Sequence, residues 1–273
     1  MHVGLLTSPF GNDANFAQIA AWAGKAGFSA LEVQVGHIDP VAILAGGDAV
    51  ITDVLLENGL RISSLAFYCG FAQTGGRDGY IQAMRDIIRA AGILHVPTVC
   101  TFAGFPETGK SKAQTITEDV PALFAPLAAE AADLGINLAF ENWFETNLQH
   151  LEHFRLLTEV LPQPNVGFNF DPSHLHWQGI DVLGAVEEFR ERIFHTHAKD
   201  VTIFPTKLAR LGVKEYGWWQ YSIPGYGAVP WGPYLRALRL AGYDGVLSIE
   251  HEDPAFGPKE GFCKGLRFLS QYI

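Results

Sequence analysis

Four short stretches of the 273-residue chain end an alternating apolar run on a side chain that can hold a cation: FENW at 140–143, FDPSH at 170–174, HTHAKD at 195–200 and SIEHED at 248–253. The candidate ligands are Glu141, Asp171, His197 and Glu250. Three carboxylates brought to one place repel one another and raise each other's pKa unless a cation neutralises them. One divalent metal is the simplest remedy. Three oxygen ligands and one imidazole form a mixed, fairly hard site that suits Mn²⁺ first, with Co²⁺, Mg²⁺ or Zn²⁺ as alternatives, and leaves positions open for substrate oxygens. No thiolate joins the set, so a closed structural zinc site is not expected.

Those four side chains converge only if four strand ends deliver them. Eight β-rich runs (HVGLLT, ALEVQV, RISSLAFY, VPTVCTF, INLAFEN, NVGFNFD, IFHTHAK and GVLSIEH) alternate with amphipathic stretches near 15–26, 80–91, 117–134, 148–161, 181–190 and 233–241, with a last one ending the chain. Glycines at 27, 59, 135 and 242 stand where a left-handed cap would stop a helix before the next strand. Eight strand–helix units over residues 1–273, with no linker or repeat, predict a single-domain (β/α)8 TIM barrel of the α/β class. No GxGxxG follows the first strand, which argues against a dinucleotide-binding sheet.

In such a barrel one face of each strand points inward and the other lies under the helices. Leu138 with Phe140, Phe168 with Phe170, Phe194 with Thr196, and Leu247 with Ile249 take the outer face. Glu141, Asp171, His197 and Glu250 therefore face inward at the C-terminal strand ends, where barrel enzymes place their sites. His195 lies one inward layer deeper, as a support for a ligand or a substrate contact. Lys199 shares the inward phase and is expected to meet a substrate oxygen or Glu252. Glu32 also faces inward and needs a partner, either His2 or a sugar hydroxyl. Trp177 and His176 form a wall of the pocket or plain packing.

The order of ligands in FENW, FDPSH, HTHAKD and SIEHED resembles the xylose isomerase-like barrel superfamily, in its sugar phosphate isomerase/epimerase group. That group includes ketose 3-epimerases, inosose isomerases and dehydratases and, more distantly, endonuclease IV. The resemblance implies that Glu141 and Glu250 act as acid and base as well as metal ligands, and that His174 binds substrate. Two of the ketose 3-epimerases' substrate-holding positions are occupied here by Asn147 and Ile203, with Glu145 as a substitute for the first. The ends of the third and fourth strands, AFYCGF and CTFAGF, lack the histidines of a three-metal nuclease cluster.

The implied reaction has a physical basis. A cation held by a carbonyl oxygen and its neighbouring hydroxyl acidifies the C–H between them by stabilising the enediolate. Returning the proton to the other face epimerises or isomerises a sugar or cyclitol; expelling a β-substituent makes the enzyme a lyase or dehydratase on a 3-keto-sugar, keto-glycoside or inosose. A non-catalytic sugar- or partner-binding barrel is the alternative from another class.

Composition narrows the partners. The net charge of −10 and the scatter of nineteen Lys and Arg argue against nucleic acid. No long apolar run suggests a membrane span or leader. Cys69, Cys100 and Cys263 fit reduced thiols in the cytoplasm. The aromatic segment Tyr216, Trp218, Trp219, Tyr221 and Tyr226 reads either as a lid over a sugar or as a homo-oligomer interface.

Overall fold

The computed structural model describes residues 1–273. Eight parallel strands close into a barrel: β1 (His2–Leu6), β2 (Ala30–Gln34), β3 (Arg61–Phe67), β4 (Thr98–Thr101), β5 (Asn137–Glu141), β6 (Val166–Phe170), β7 (Ile193–Ala198) and β10 (Val246–Ile249), the last pairing with both β7 and β1. The predicted (β/α)8 barrel is the fold observed. No helix is long and apolar enough to cross a membrane.

The outer faces are covered as the alternation requires. Phe140 meets Phe124 of the helix Val120–Asp133 edge to face at 4.7 Å, and Phe168 stacks at 4.6 Å on Phe154 of the helix Leu151–Val160. All four rings are fully buried, so the apolar surface removed from water lies between sheet and helices and leaves the barrel interior to polar side chains.

Three features differ from the sequence expectation. First, the stretch near 117–134 is two helices, Lys112–Glu118 and Val120–Asp133, broken at Asp119, with Pro121 in the first turn of the second, where its missing N–H costs no helical bond. Second, the aromatic segment is not a plain loop: β9 (Trp219–Ser222) pairs antiparallel with β8 (Asp200–Ile203), which directly follows β7. Third, Phe194 does not pack under the helices. Phe168 pairs with Ile193 and Asn169 with His195, which leaves Phe194 as the extra residue of a bulge. Its ring lies against Gly167, where an added Cβ would come within 2.5 Å of the ring and 2.1 Å of the Arg192 carbonyl oxygen.

Because one of those obstacles is backbone, the clash cannot be relieved by a rotamer change. Gly167→Ala is expected to destabilise the barrel by about 1–3 kcal/mol, read from urea unfolding followed by circular dichroism. An unchanged midpoint would show that the bulge yields freely.

Candidate metal centre

The strand ends build the centre one residue at a time. β6 ends at Phe170, and Asp171 caps the short helix Pro172–His176: its Oδ1 accepts from the Ser173 amide at 2.7 Å and from the Ser173 hydroxyl at 2.6 Å. Pro172 suits the first helical position because it has no N–H to satisfy. One turn on, His174 lies over the same face as Asp171. Asn142, directly after Glu141, clasps the Asp171 backbone with both ends of its amide, at 2.9 Å to the N–H and 2.8 Å to the carbonyl, and so locks the end of β5 to the end of β6.

One ligand atom from each of Glu141, Asp171, His197 and Glu250 lies within 4.8 Å of the others. His197 Nδ1 is 3.1 Å from Glu141 Oε1, 3.0 Å from Glu250 Oε2 and 3.8 Å from Asp171 Oδ2. That Asp171 oxygen is buried and has no hydrogen-bond partner. It faces the Lys199 ammonium at 3.3 Å. Three carboxylates and a ring nitrogen converging in this way are a donor set that suits a divalent cation, so the residues fit one.

Beneath lies a polar floor that the sequence reading captured only in part. His197 Nε2 meets Glu32 Oε2 at 3.1 Å. Glu32 also accepts from the Tyr68 hydroxyl at 2.8 Å and the Ser248 hydroxyl at 2.7 Å. Glu32 is fully buried, does not line the cavity, and its partner is not His2, which sits beside Arg61 at the other end of the barrel. His195 takes the supporting position: Nδ1 donates to Asn169 Oδ1 at 3.0 Å and Nε2 lies 3.1 Å from the Ser63 hydroxyl. Tyr68 and Asn169 carried no motif, although Asn169 shares the inward phase of Asp171.

Glu32, Cys100 and His195 form a second group with ligand atoms within 4.8 Å. Its carboxylate and imidazole are already hydrogen-bonded, and burial pushes the Cys100 thiol well above its ordinary pKa. The group therefore supports the centre above it.

Burial opposes ionisation of Glu32, but His197, His195 and the hydrogen bonds from His197 and Ser248 hold it down at about 2. Burial lowers His195 to about 4, so it stays neutral. Burial and the nearby Glu250 raise Glu141, whereas Lys199 and His197 overcome burial and hold Glu250 low. Burial lowers His174 well below the ordinary imidazole value, and the Lys199 charge adds to this.

A cavity of about 150 Å³ opens above the centre, lined by Phe102, Glu141, Trp143, His174, Lys199, Tyr221, Glu250 and Glu252. Lys199 Nζ reaches Glu250 at 2.7 Å, Glu252 at 3.1 Å, Asp171 at 3.3 Å and His174 Nε2 at 3.2 Å. The expected Lys199–Glu252 pair is present, within a larger network. Trp177 stands one layer back from the cavity, stacked at 4.5 Å on Trp219 and edge-on to Phe144 at 5.1 Å. Tyr221 from β9 does reach the cavity, with its hydroxyl 2.6 Å from His174 Nδ1. Trp218 is buried, while Tyr216 and Tyr226 are 68% and 49% exposed, so only part of the aromatic segment covers the site. Glu145 is exposed, and Asn147 is committed to the carbonyls of Ala103 and Phe105.

Comparison with known proteins places these features in context. A family model described as a xylose isomerase-like TIM barrel matches residues 20–272. The uncharacterized protein YfiH of Bacillus subtilis is 34% identical over 156 residues, 53% of this chain and 49% of that protein. An inosose dehydratase of Geobacillus thermodenitrificans is 30% identical over 149 residues, 52% of this chain and 49% of that protein. The chain spans about half the length of these curated relatives. The crystal structure of the probable 3-DHS dehydratase AsbF from Bacillus anthracis superposes with a TM-score of 0.77 over 99% of both chains at 17% identity, a likeness of fold.

A carboxylate on the far nitrogen of a ligating histidine fixes the ring and raises its basicity. Glu32→Gln is expected to weaken Mn²⁺ binding by about 10–100-fold in calorimetry without loss of the folded circular dichroism spectrum. Equal affinity in the two proteins would remove Glu32 from the support of His197.

Proposed function

The chain belongs to the xylose isomerase-like TIM barrel family, and from that premise we propose that it is a divalent-metal-dependent enzyme acting on an uncharged sugar or cyclitol ketone. Its reaction begins with removal of the proton next to the carbonyl. The observation that carries this reading is the convergence of one ligand atom each from Glu141, Asp171, His197 and Glu250 at the mouth of the barrel. When bound, a divalent ion supplies Lewis-acid stabilisation of negative charge on oxygen, with Mn²⁺ the first choice for this donor set.

The chain's own residues do the rest. Glu141 and Glu250 follow strands separated by β6 and β7 and both line the cavity, and in this reading they take up and return the proton. His174 and Lys199 offer polar contacts to substrate oxygens, and Phe102, Trp143 and Tyr221 supply apolar faces for a ring and keep water out. Glu32 acts from behind by holding His197 in position.

Charge selects the substrate class. Four carboxylates, Glu141, Asp171, Glu250 and Glu252, surround the single ammonium of Lys199. One divalent ion added to that set leaves no net positive charge to receive a phosphate or carboxylate, and no arginine lines the cavity. The volume of about 150 Å³ suits one monocyclic polyol. The free cysteines support a reducing, cytoplasmic setting.

Return of the proton gives isomerisation or epimerisation, the outcome expected from the sequence. A second reading, loss of water from the adjacent carbon, is favoured by the phenol of Tyr221 at the cavity and by the relative named inosose dehydratase.

The test is to incubate Mn²⁺-loaded protein in D₂O with ketoses, keto-glycosides, inososes and their phosphorylated counterparts, following carbon-bound deuterium by NMR. Exchange is expected on neutral ketones and not on phosphates. Glu250→Gln should keep the fold and lose exchange by about 10²–10⁴-fold. A wild-type protein inert on every neutral ketone overturns the reading.

A further inference from the structure

Lys112 opens the helix Lys112–Glu118 that follows β4, half-buried and in no ion pair. Burial lowers its pKa, and the nearby Glu145 offsets only part of that. A cation held partly out of water is costly unless its donors are used. Both of its contacts lie on the segment after β5: the ammonium donates to the Phe144 carbonyl and, at 2.8 Å, to Gln149 Oε1. The contacts continue from there. Gln149 Nε2 donates to Gln178 Oε1 at 2.9 Å, and Gln178 Nε2 donates to the His174 carbonyl at 2.6 Å. Donor count fixes the direction of every link. An ammonium only donates and a carbonyl only accepts, so each glutamine turns its oxygen toward Lys112 and its nitrogen toward His174. Neither amide can flip without setting like against like at one of its ends.

This strap holds a wall of the cavity. Phe144 packs edge-on against Trp143, Trp177 and Trp219 at 6.1, 5.1 and 5.8 Å, and its ring lies 6.4 Å from that of His174. Trp143 and His174 both line the cavity. The two ends of the segment are tied elsewhere: Asn142 clasps the Asp171 backbone, and Asn147 holds the carbonyls of Ala103 and Phe105. Between those ties the strap couples Phe144 to the short helix Pro172–His176, which carries His174.

We propose that Lys112 is a positioning residue that acts through Gln149 and Gln178 to set the spacing between the Trp143–Phe144 wall and His174, and so the fit of the substrate ring. The proposal rests on the function argued above, in which Trp143 and His174 meet the substrate. Neither Glu141 nor Glu250, which move the proton in that reading, belongs to the strap. The wall and the imidazole touch the ring alike before and during proton removal. Loss of the strap is therefore a loss of uniform binding, which raises KM and leaves kcat nearly unchanged. Two substitutions in one strap also act as one, because a chain broken at either link no longer connects its ends.

The test measures deuterium exchange next to the carbonyl of pentahydroxycyclohexanone (an inosose) in D₂O. The Mn²⁺-loaded proteins are wild type, Lys112→Met, Lys112→Arg, Gln178→Leu and the variant carrying both Lys112→Met and Gln178→Leu. Lys112→Met is expected to raise KM about tenfold with kcat within about threefold of wild type, and Lys112→Arg, which restores a cationic donor, to bring KM back within about threefold. The double variant should be no worse than the poorer single one. An unchanged KM in Lys112→Met, no recovery with arginine, or effects that multiply in the double variant overturn the proposal. A fall in the Mn²⁺ affinity of Lys112→Met, read by calorimetry, marks damage to the whole mouth and overturns it too. Wild-type exchange with any of these results leaves the parent reading intact, whereas a wild-type protein that exchanges no neutral ketone sinks both. A readout independent of turnover is the ¹⁵N spectrum: Lys112→Met should shift the Gln178 side-chain amide and the Leu175 backbone amide, which belongs to the peptide whose carbonyl closes the strap. Shifts at both support the strap, and unmoved signals overturn it.

Discussion

The structure is organised around one electrostatic problem, the burial of several carboxylates in a space a few ångströms wide. Glu141 and Asp171, both buried, meet the partly buried Glu250 at the barrel mouth, where like charges repel strongly. Each neighbouring feature answers that repulsion. His197 stands between Glu141 and Glu250, Lys199 spans Asp171, Glu250 and Glu252, and the Ser173 amide and hydroxyl absorb one oxygen of Asp171. The other Asp171 oxygen accepts no hydrogen bond and faces the Lys199 ammonium and the Nδ1 of His197.

From floor to mouth the barrel interior changes from a satisfied network to an open one. Glu32, Asn169, His195, Ser63, Ser248 and Tyr68 exchange hydrogen bonds among themselves and with His197. Such a network is rigid because breaking any one contact strands a buried polar group. At the mouth the network loosens: the Asp171 Oδ2 accepts no hydrogen bond and faces the Lys199 ammonium at 3.3 Å, and Phe102, Trp143 and Tyr221 line the cavity.

The β8–β9 ribbon gives this barrel its particular character. It inserts between the seventh and eighth barrel strands and lays Trp219 and Tyr221 across the site, with Trp219 backed by Trp177 and Phe144. The strand ends supply Glu141, Asp171, His197 and Glu250 from the barrel itself. The ribbon adds Tyr221 to the cavity lining, a group that the barrel strands do not provide.

Much of this was legible in the sequence because the period-2 alternation of a half-buried strand is a local property. Phe140 beside Glu141, or Phe170 beside Asp171, assigns inner and outer faces without knowledge of the rest of the chain. The Asp-Pro pair after β6 likewise specifies a capped helix start from adjacent residues alone, and with it the placing of His174 above Asp171. What only the tertiary structure decided are contacts made across the barrel. Glu32 finds His197 and Ser248 at sequence separations of 165 and 216 residues, distances over which no spacing rule operates, and not His2, which is nearer along the chain but lies at the other end of the barrel. The extra residue at Phe194 was equally hidden, since a bulge is a mismatch between two strands and exists in neither alone. Residue type and local period thus determined which groups could do chemistry and which way they face; closure of the sheet decided which of them touch, because hydrogen bonds and charge act over a few ångströms of space and take no account of distance along the chain.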